Sequence, residues 1–183
     1  MSTEAELTEP HSMSQILPIR MTSRVVRGYG RGSKELGIPT ANLDTEQLQF
    51  SKDVTLEEFP TGIYWGVSRI ADQSVYTAAV SVGYNPTYGN DTKTIEPHLI
   101  APEQDPRRHA SSTGETLMKD FYDQTCRLSL IGYMRPELPF EGLDKLIEAI
   151  KGDIAKAVQL GNEVNDTLMT EKDWVQSDEP ARV

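Results

Sequence analysis

Gly62-Ile-Tyr-Trp-Gly-Val-Ser-Arg-Ile70 sets Ile63, Trp65 and Val67 against Tyr64, Gly66 and Ser68 with a period of two. Successive side chains of a strand point to opposite faces, so this stretch predicts a β-strand. Working outward, Ile19 to Arg27, Val75 to Val82, Thr94 to Ile100 and Thr125 to Met134 also read as strands, and Asn85-Pro86 as a turn. The polar, acidic run Asp44 to Phe59 reads as a connection with a short helical turn. One helix stands out: Leu143, Leu146, Ile147, Ile150 and Ile154 recur at helical spacing, with Asp144, Lys145, Glu148 and Lys151 off that stripe and Gly161-Asn162 as a stop. Short strands followed by one amphipathic helix predict a mainly β chain, a single-domain barrel with the helix's apolar stripe packed on the sheet.

The flanks read differently. Residues 1–15 are polar and predict a disordered arm, 16–161 the domain, and 162–183 an acidic tail that extends away from it. Within the domain, 102–119 is rich in Pro, Arg, Ser, Thr and Gly and reads as a flexible insertion.

Composition bounds the partners. Of the 183 residues, 37% are hydrophobic and 25% charged, as in a soluble chain with one substantial core. Lys and Arg number 18 against 28 Asp and Glu, a formal charge of −10, which argues against nucleic acid or an anionic membrane as a partner. A single cysteine, Cys126, excludes an intrachain disulfide and a thiolate metal cluster, and its apolar setting predicts a buried packing thiol. No apolar run approaches the ~18 residues of a membrane span, and the polar start is no signal peptide, so the expectation is a cytoplasmic monomer. On the same ground the two Asn-x-Thr sequons, at Asn90 and Asn165, are expected to be unmodified.

The chemistry begins at Gly28-Tyr-Gly-Arg-Gly-Ser-Lys-Glu-Leu-Gly-Ile-Pro-Thr-Ala-Asn42. Close-set glycines let backbone N–H groups approach a bulky anion, Lys34 adds a cation, and Thr40 and Asn42 offer the neutral oxygens that hold a phosphate-bound Mg²⁺. The plainer alternative is a turn at a barrel rim, with Thr40 a cap and Asn42 a turn residue. It is not a P-loop, because no Gly-Lys-Ser/Thr follows. In extended structure Thr40 and Asn42 share one side.

This segment resembles the signature of riboflavin kinases. The resemblance continues in order through Thr61-Gly-Ile-Tyr-Trp-Gly66, Ser81-Val-Gly-Tyr-Asn-Pro86, Thr92-Lys-Thr-Ile-Glu-Pro-His-Leu99, Asp120-Phe-Tyr122, Ile131-Gly-Tyr-Met-Arg-Pro-Glu137 and Leu146-Ile-Glu-Ala-Ile-Lys-Gly-Asp-Ile154. It spans roughly Ile19 to Leu160 and is closest to the monofunctional eukaryotic type. It implies a closed Greek-key barrel with a C-terminal helix, and ATP-dependent phosphorylation of the ribityl 5′-hydroxyl of riboflavin to give FMN and ADP.

The resemblance also implies roles. Thr40 and Asn42 would hold the divalent ion carried with ATP, Mg²⁺ or another such as Zn²⁺ or Mn²⁺. Gly28, Lys34, Thr40, Leu99, Ala101 and Tyr122 would contact ATP, largely through backbone and adenine packing. Glu96 would take the hydroxyl proton, and Arg135, Leu138 and Phe140 would face the flavin. Read without the family, Glu96 is a solvated strand acid, Arg135 a surface charge and Phe140 a core residue. His98, on the same strand face as Glu96, reads as a structural hydrogen bonder. Where the family has Gly after Phe-Tyr, this chain has Asp123. Two other functions stand beside this reading. A catalytically silent flavin or FMN binder would not need Thr40, Asn42 and Glu96. An enzyme that also makes FAD needs a further domain, for which this length leaves no room.

Overall fold

The computed structural model describes residues 13–26, 40–85, 90–102, 104 and 122–181. A short helix α1 (Met13–Ile16) precedes strands β1 (Ile19–Val26), β2 (Asn42–Leu43), β3 (Gln49–Phe50), β4 (Gly62–Ile70), β5 (Tyr76–Asn85), β6 (Asn90–Ile100) and β7 (Thr125–Arg135). Helices α2 (Leu143–Asn162) and α3 (Asp166–Gln176) follow. Each of the long predicted strands is found, with β5 and β6 longer than the pattern suggested. The 44–59 connection holds two 3₁₀ turns, Thr45–Gln47 and Leu56–Glu58, around β3.

The strands form one antiparallel sheet of seven, in the order β2-β1-β7-β4-β5-β6 with β3 also on β1. Strands β4, β5 and β6 are consecutive neighbours, and β7 returns to pair with β4, which is the Greek-key order. The two sheet ends then meet. Thr40 bridges His98 of β6, and the Ala41 N–H donates to the Pro97 carbonyl at 3.0 Å. That closure makes the sheet a barrel and hides its edge polar groups.

Two cores result. Met21, Val25, Ala41, Leu43, Tyr64, Val80, Val82, Ile95, Leu99 and Leu128 fill the barrel. Trp65, Val67, Ala79 and Ile100 point outward, where α2 and α3 cover them with Ile154, Ala157, Leu168, Trp174 and Val175. Both faces of β4 are therefore buried, so its alternation divides two cores instead of core from solvent. Cys126 is fully buried beside Ser68, and burial pushes its thiol up to about 11, as a packing role requires.

The expected arm and tail are corrected where they are described. Met13 opens α1 and is fully buried in the barrel core, so the expected arm is packed at that residue, while Ser14 and Gln15 are exposed. The 162–183 segment does not extend away: after Asn165 caps it by accepting from the Leu168 N–H at 2.9 Å, α3 docks on the barrel. Trp174 lies against the guanidiniums of Arg127 and Arg20, at 4.1 and 5.3 Å from the ring centre. Buried Glu171 accepts from Arg20 Nε at 2.9 Å and from Ser129 Oγ at 2.7 Å. Arg69 and Arg127 donate to the carbonyls of Val175 and Trp174 at the helix's C-terminal end, where cations are favoured. An acidic composition concealed this, because Leu168, Trp174 and Val175 are scattered among polar residues.

Candidate active site

A cavity of about 580 Å³ opens on the outer face of β4, β5 and β6, beneath α2 and the 135–140 segment. Outward-facing residues of the sheet supply Ile63, Ala79, Ser81, Glu96 and His98, while α2 supplies Leu146, Ile150, Asp153 and Ile154. Arg135, Leu138 and Phe140 close the remaining side. The sequence-predicted base and the three predicted flavin contacts thus line one cavity.

Glu96 sits here because β6 alternates: Ile95, Pro97 and Leu99 turn into the barrel, Glu96 and His98 outward. Desolvation raises the Glu96 carboxyl above the ordinary Glu range, partly opposed by the hydrogen bond from Thr94 Oγ1 at 3.1 Å. Glu137 is also raised, first by desolvation, with Arg135 lowering it and the neighbouring Glu96 charge raising it. Two carboxylates therefore face one partly dried space.

His98 links this cavity to the Thr40 segment. Its Nδ1 lies 3.2 Å from Thr40 Oγ1. Burial pushes the imidazole down to about 4 against the opposing charge of Asp153, which leaves it neutral at neutral pH. In the tautomer with Nδ1 unprotonated, Thr40 donates to it and keeps its oxygen lone pairs free. Ala41 and Leu43 are buried in the barrel while Thr40 and Asn42 are half-buried, so the two polar side chains share the other face as expected.

A hydroxyl and an amide oxygen on one strand face suit a hard divalent ion that takes its remaining ligands from phosphate and water. Among the described residues no cluster of His, Cys, Asp or Glu would hold a metal unaided. The donor set suits an ion that arrives with a nucleotide.

The remaining predicted positions fall differently. Leu99 is fully buried in the barrel core and Ala101 nearly so, which leaves only their backbone available to a ligand. Tyr122 is 37% exposed beyond the end of β6. Asp123 adopts φ 62°, the left-handed conformation that favours glycine, and its N–H donates to the Val25 carbonyl at 2.8 Å. The turn is therefore kept without the family's Gly, by a residue type that tolerates that conformation. Gly28, Lys34, Pro86 and most of the 102–119 insertion lie outside the described residues.

Arg135 is more committed than the sequence suggested. Its Nε and Nη2 donate to the two carboxylate oxygens of Asp153, both at 2.7 Å, and its Nη1 donates to the Pro136 carbonyl at 3.0 Å. Its guanidinium also lies 5.8 Å from the Phe140 ring centre. Two glycines let this corner form. A Cβ on Gly62 would lie 2.6 Å from the Arg135 carbonyl, and at Gly83 the Glu137 carboxylate occupies the space of a side chain.

Sequence reasoning missed the helical wall and Asp153. Leu146, Ile150 and Asp153 stand at i, i+4 and i+7, so an acid falls on the face of α2 that its apolar pattern turns inward. That misplaced acid was the available signal.

Comparison with known proteins agrees with this geometry. The family model described as Flavokinase: Riboflavin kinase matches residues 16–160. The chain is 39% identical to a riboflavin kinase of Mus musculus over 141 residues, 77% of this chain and 79% of that one. It is 38% identical to the Homo sapiens riboflavin kinase over the same shares. The solved riboflavin kinase of Trypanosoma brucei superimposes with a TM-score of 0.58 at 19% identity, covering 88% of this chain and 91% of that one, a likeness of fold.

Proposed function

The chain belongs to the riboflavin kinase family and has that family's activity, phosphorylation of riboflavin to FMN; from that premise we propose how its own residues carry the reaction. Riboflavin enters the cavity with its ring toward the 135–140 wall and the apolar side chains of α2, and its ribityl chain toward β6. Glu96, ionised, accepts the 5′-hydroxyl proton as that oxygen attacks the γ-phosphorus of ATP. The bond to the β-phosphate oxygen breaks in line, giving FMN, ADP and a proton on Glu96 that is lost to water. Thr40 and Asn42 would hold the divalent ion, which when bound neutralises charge on the phosphates. His98 orients the Thr40 hydroxyl, and Lys34 and the 28–32 glycines receive the phosphate tail.

The observation that supports this reading is the pairing on β6. Glu96 lies in the cavity, and two residues on His98 touches Thr40, so one strand joins the hydroxyl's base to the phosphate end. Desolvation suits Glu96 to the task, because a base with a raised pKa is a stronger proton acceptor.

The test is conversion of riboflavin to FMN with ATP, with and without EDTA, in the parent and in Glu96→Gln. Metal-dependent turnover that falls about 10²–10⁴-fold in the variant is expected. Near-normal turnover in Glu96→Gln removes it as the base. Riboflavin binding with no FMN under any divalent ion would instead favour a silent flavin-binding module.

A further inference from the structure

Asp153 is the acid in the cavity wall that the proposed reaction leaves without a task. It projects from α2, it is 12% exposed, and both its oxygens are taken by the guanidinium of Arg135, itself 19% exposed. We propose that Asp153 is a positioning residue: by fixing Arg135 it fixes the 135–140 segment and so the shape of the flavin end of the cavity. This rests on the reading that riboflavin occupies that end.

The geometry favours this over a bond that merely docks the helix. α2 is already anchored further along by Ile154, Ala157 and Gly161, which are buried against the sheet. Apolar residues at 135 and 153 together would dock it as well, since replacing a whole buried ion pair by apolar groups is often neutral or stabilising. What an apolar residue cannot do is orient a planar guanidinium through two parallel bonds. Arg135 is the last residue of β7, and 136–140 is irregular backbone with Leu138 and Pro139 exposed. Arg135 ties this segment at both ends, meeting the Pro136 carbonyl and the Phe140 ring, while Glu137 rests on Gly83 between them. Asp153 therefore acts on the wall through one partner.

A competing route runs through His98, because the Asp153 charge is also felt there and His98 touches Thr40. That route would disturb the phosphate end, and the two are separable by which substrate suffers.

The experiment uses the full chain with Asp153→Asn, Asp153→Glu, Arg135→Lys and the double variant Asp153→Asn/Arg135→Lys. Riboflavin affinity is read from quenching of flavin fluorescence without ATP, beside KM for each substrate, kcat and the thermal midpoint. We expect Asp153→Asn and Arg135→Lys each to weaken riboflavin about tenfold or more, the scale of a small misplacement of a binding group. KM for ATP should stay within about twofold, the double variant should be no worse than the worse single one, and Asp153→Glu should recover part of the loss. Should Asp153→Asn not fold, Asp153→Glu and Arg135→Lys carry the comparison. Unchanged riboflavin affinity, additive losses, or an equal rise in KM for ATP would each overturn the proposal. A parent protein that makes no FMN and binds no riboflavin overturns the underlying reading as well, a distinct outcome.

Discussion

Trp174→Ala tests the docking of α3, the element least visible beforehand. The indole is 3% exposed and packs in the outer core between two guanidiniums. Truncating a buried Trp costs about 3–5 kcal/mol, and the lost cation–π contacts lie within or slightly above that range. One effect opposes it. Among the described residues Arg127 Nε has no hydrogen-bond acceptor, and desolvation holds the Arg127 guanidinium below its ordinary value. Opening the site rehydrates that group and returns about 1 kcal/mol. The net loss is then about 3 kcal/mol, which in a chain of this size lowers the thermal midpoint by roughly 6–12 °C. Thermal and urea unfolding followed by circular dichroism measure it. Met169→Ala, on the exposed side of the same helix, should change stability by no more than about 0.5 kcal/mol. A Trp174→Ala midpoint within about 2 °C of the parent would refute the docking, because Trp174 is the largest side chain that α3 buries.

Four further outcomes follow from the site and its turns. The acidic limb of kcat should lie above pH 4.5, since Glu96 must be ionised and its raised pKa moves that requirement upward; a pH–rate profile in which Glu96→Gln keeps the same limb would dissociate it from Glu96. By the same shift Glu96 contributes stability below its unfolded pKa that is lost as pH rises through the folded one. Glu96→Gln should therefore raise the thermal midpoint slightly at pH 7 while it lowers turnover. Gly62→Ala forces a Cβ onto the Arg135 carbonyl, so riboflavin affinity should fall and stability drop by about 1–3 kcal/mol, read by fluorescence quenching and urea titration. Asp123→Gly relieves a left-handed Asp and should change stability by at most about 1 kcal/mol, whereas Asp123→Val should cost more; equal effects in denaturant titrations would contradict the backbone argument.

The barrel was legible because its signals are local. Period-two alternation marks each long strand, and a strand cannot change period without changing face. The pairing of β7 with β4 and the closure through Thr40 are not local; the resemblance implies a closed Greek-key barrel without naming either contact. At the site, Glu96 and Arg135 are named by motif, and read without the family both are exposed charges; in the structure Glu96 is half-buried and Arg135 is held by Asp153. Partnerships between residues far apart in sequence leave no periodic trace. The tail failed for another reason: α3 buries one face through a capped turn and three arginine contacts, and a polar composition masks a helix of that kind.

The electrostatics of the cavity explain how labour divides between its ends. Its walls carry Glu96, Glu137 and Asp153 against Arg135, whose charge is already matched by Asp153. In a chain of formal charge −10 this space repels a polyphosphate. On the proposed reading, neutral riboflavin meets no such barrier, and desolvation makes the Glu96 carboxylate a better proton acceptor. On the same reading ATP is met from the other side of His98, where Thr40 and Asn42 present oxygens without charge. Neutral donors leave the ion's full charge for the phosphates, whereas acidic ligands would cancel part of it. On the proposed reading, the carboxylates of the cavity and the neutral donors Thr40 and Asn42 are two halves of one arrangement.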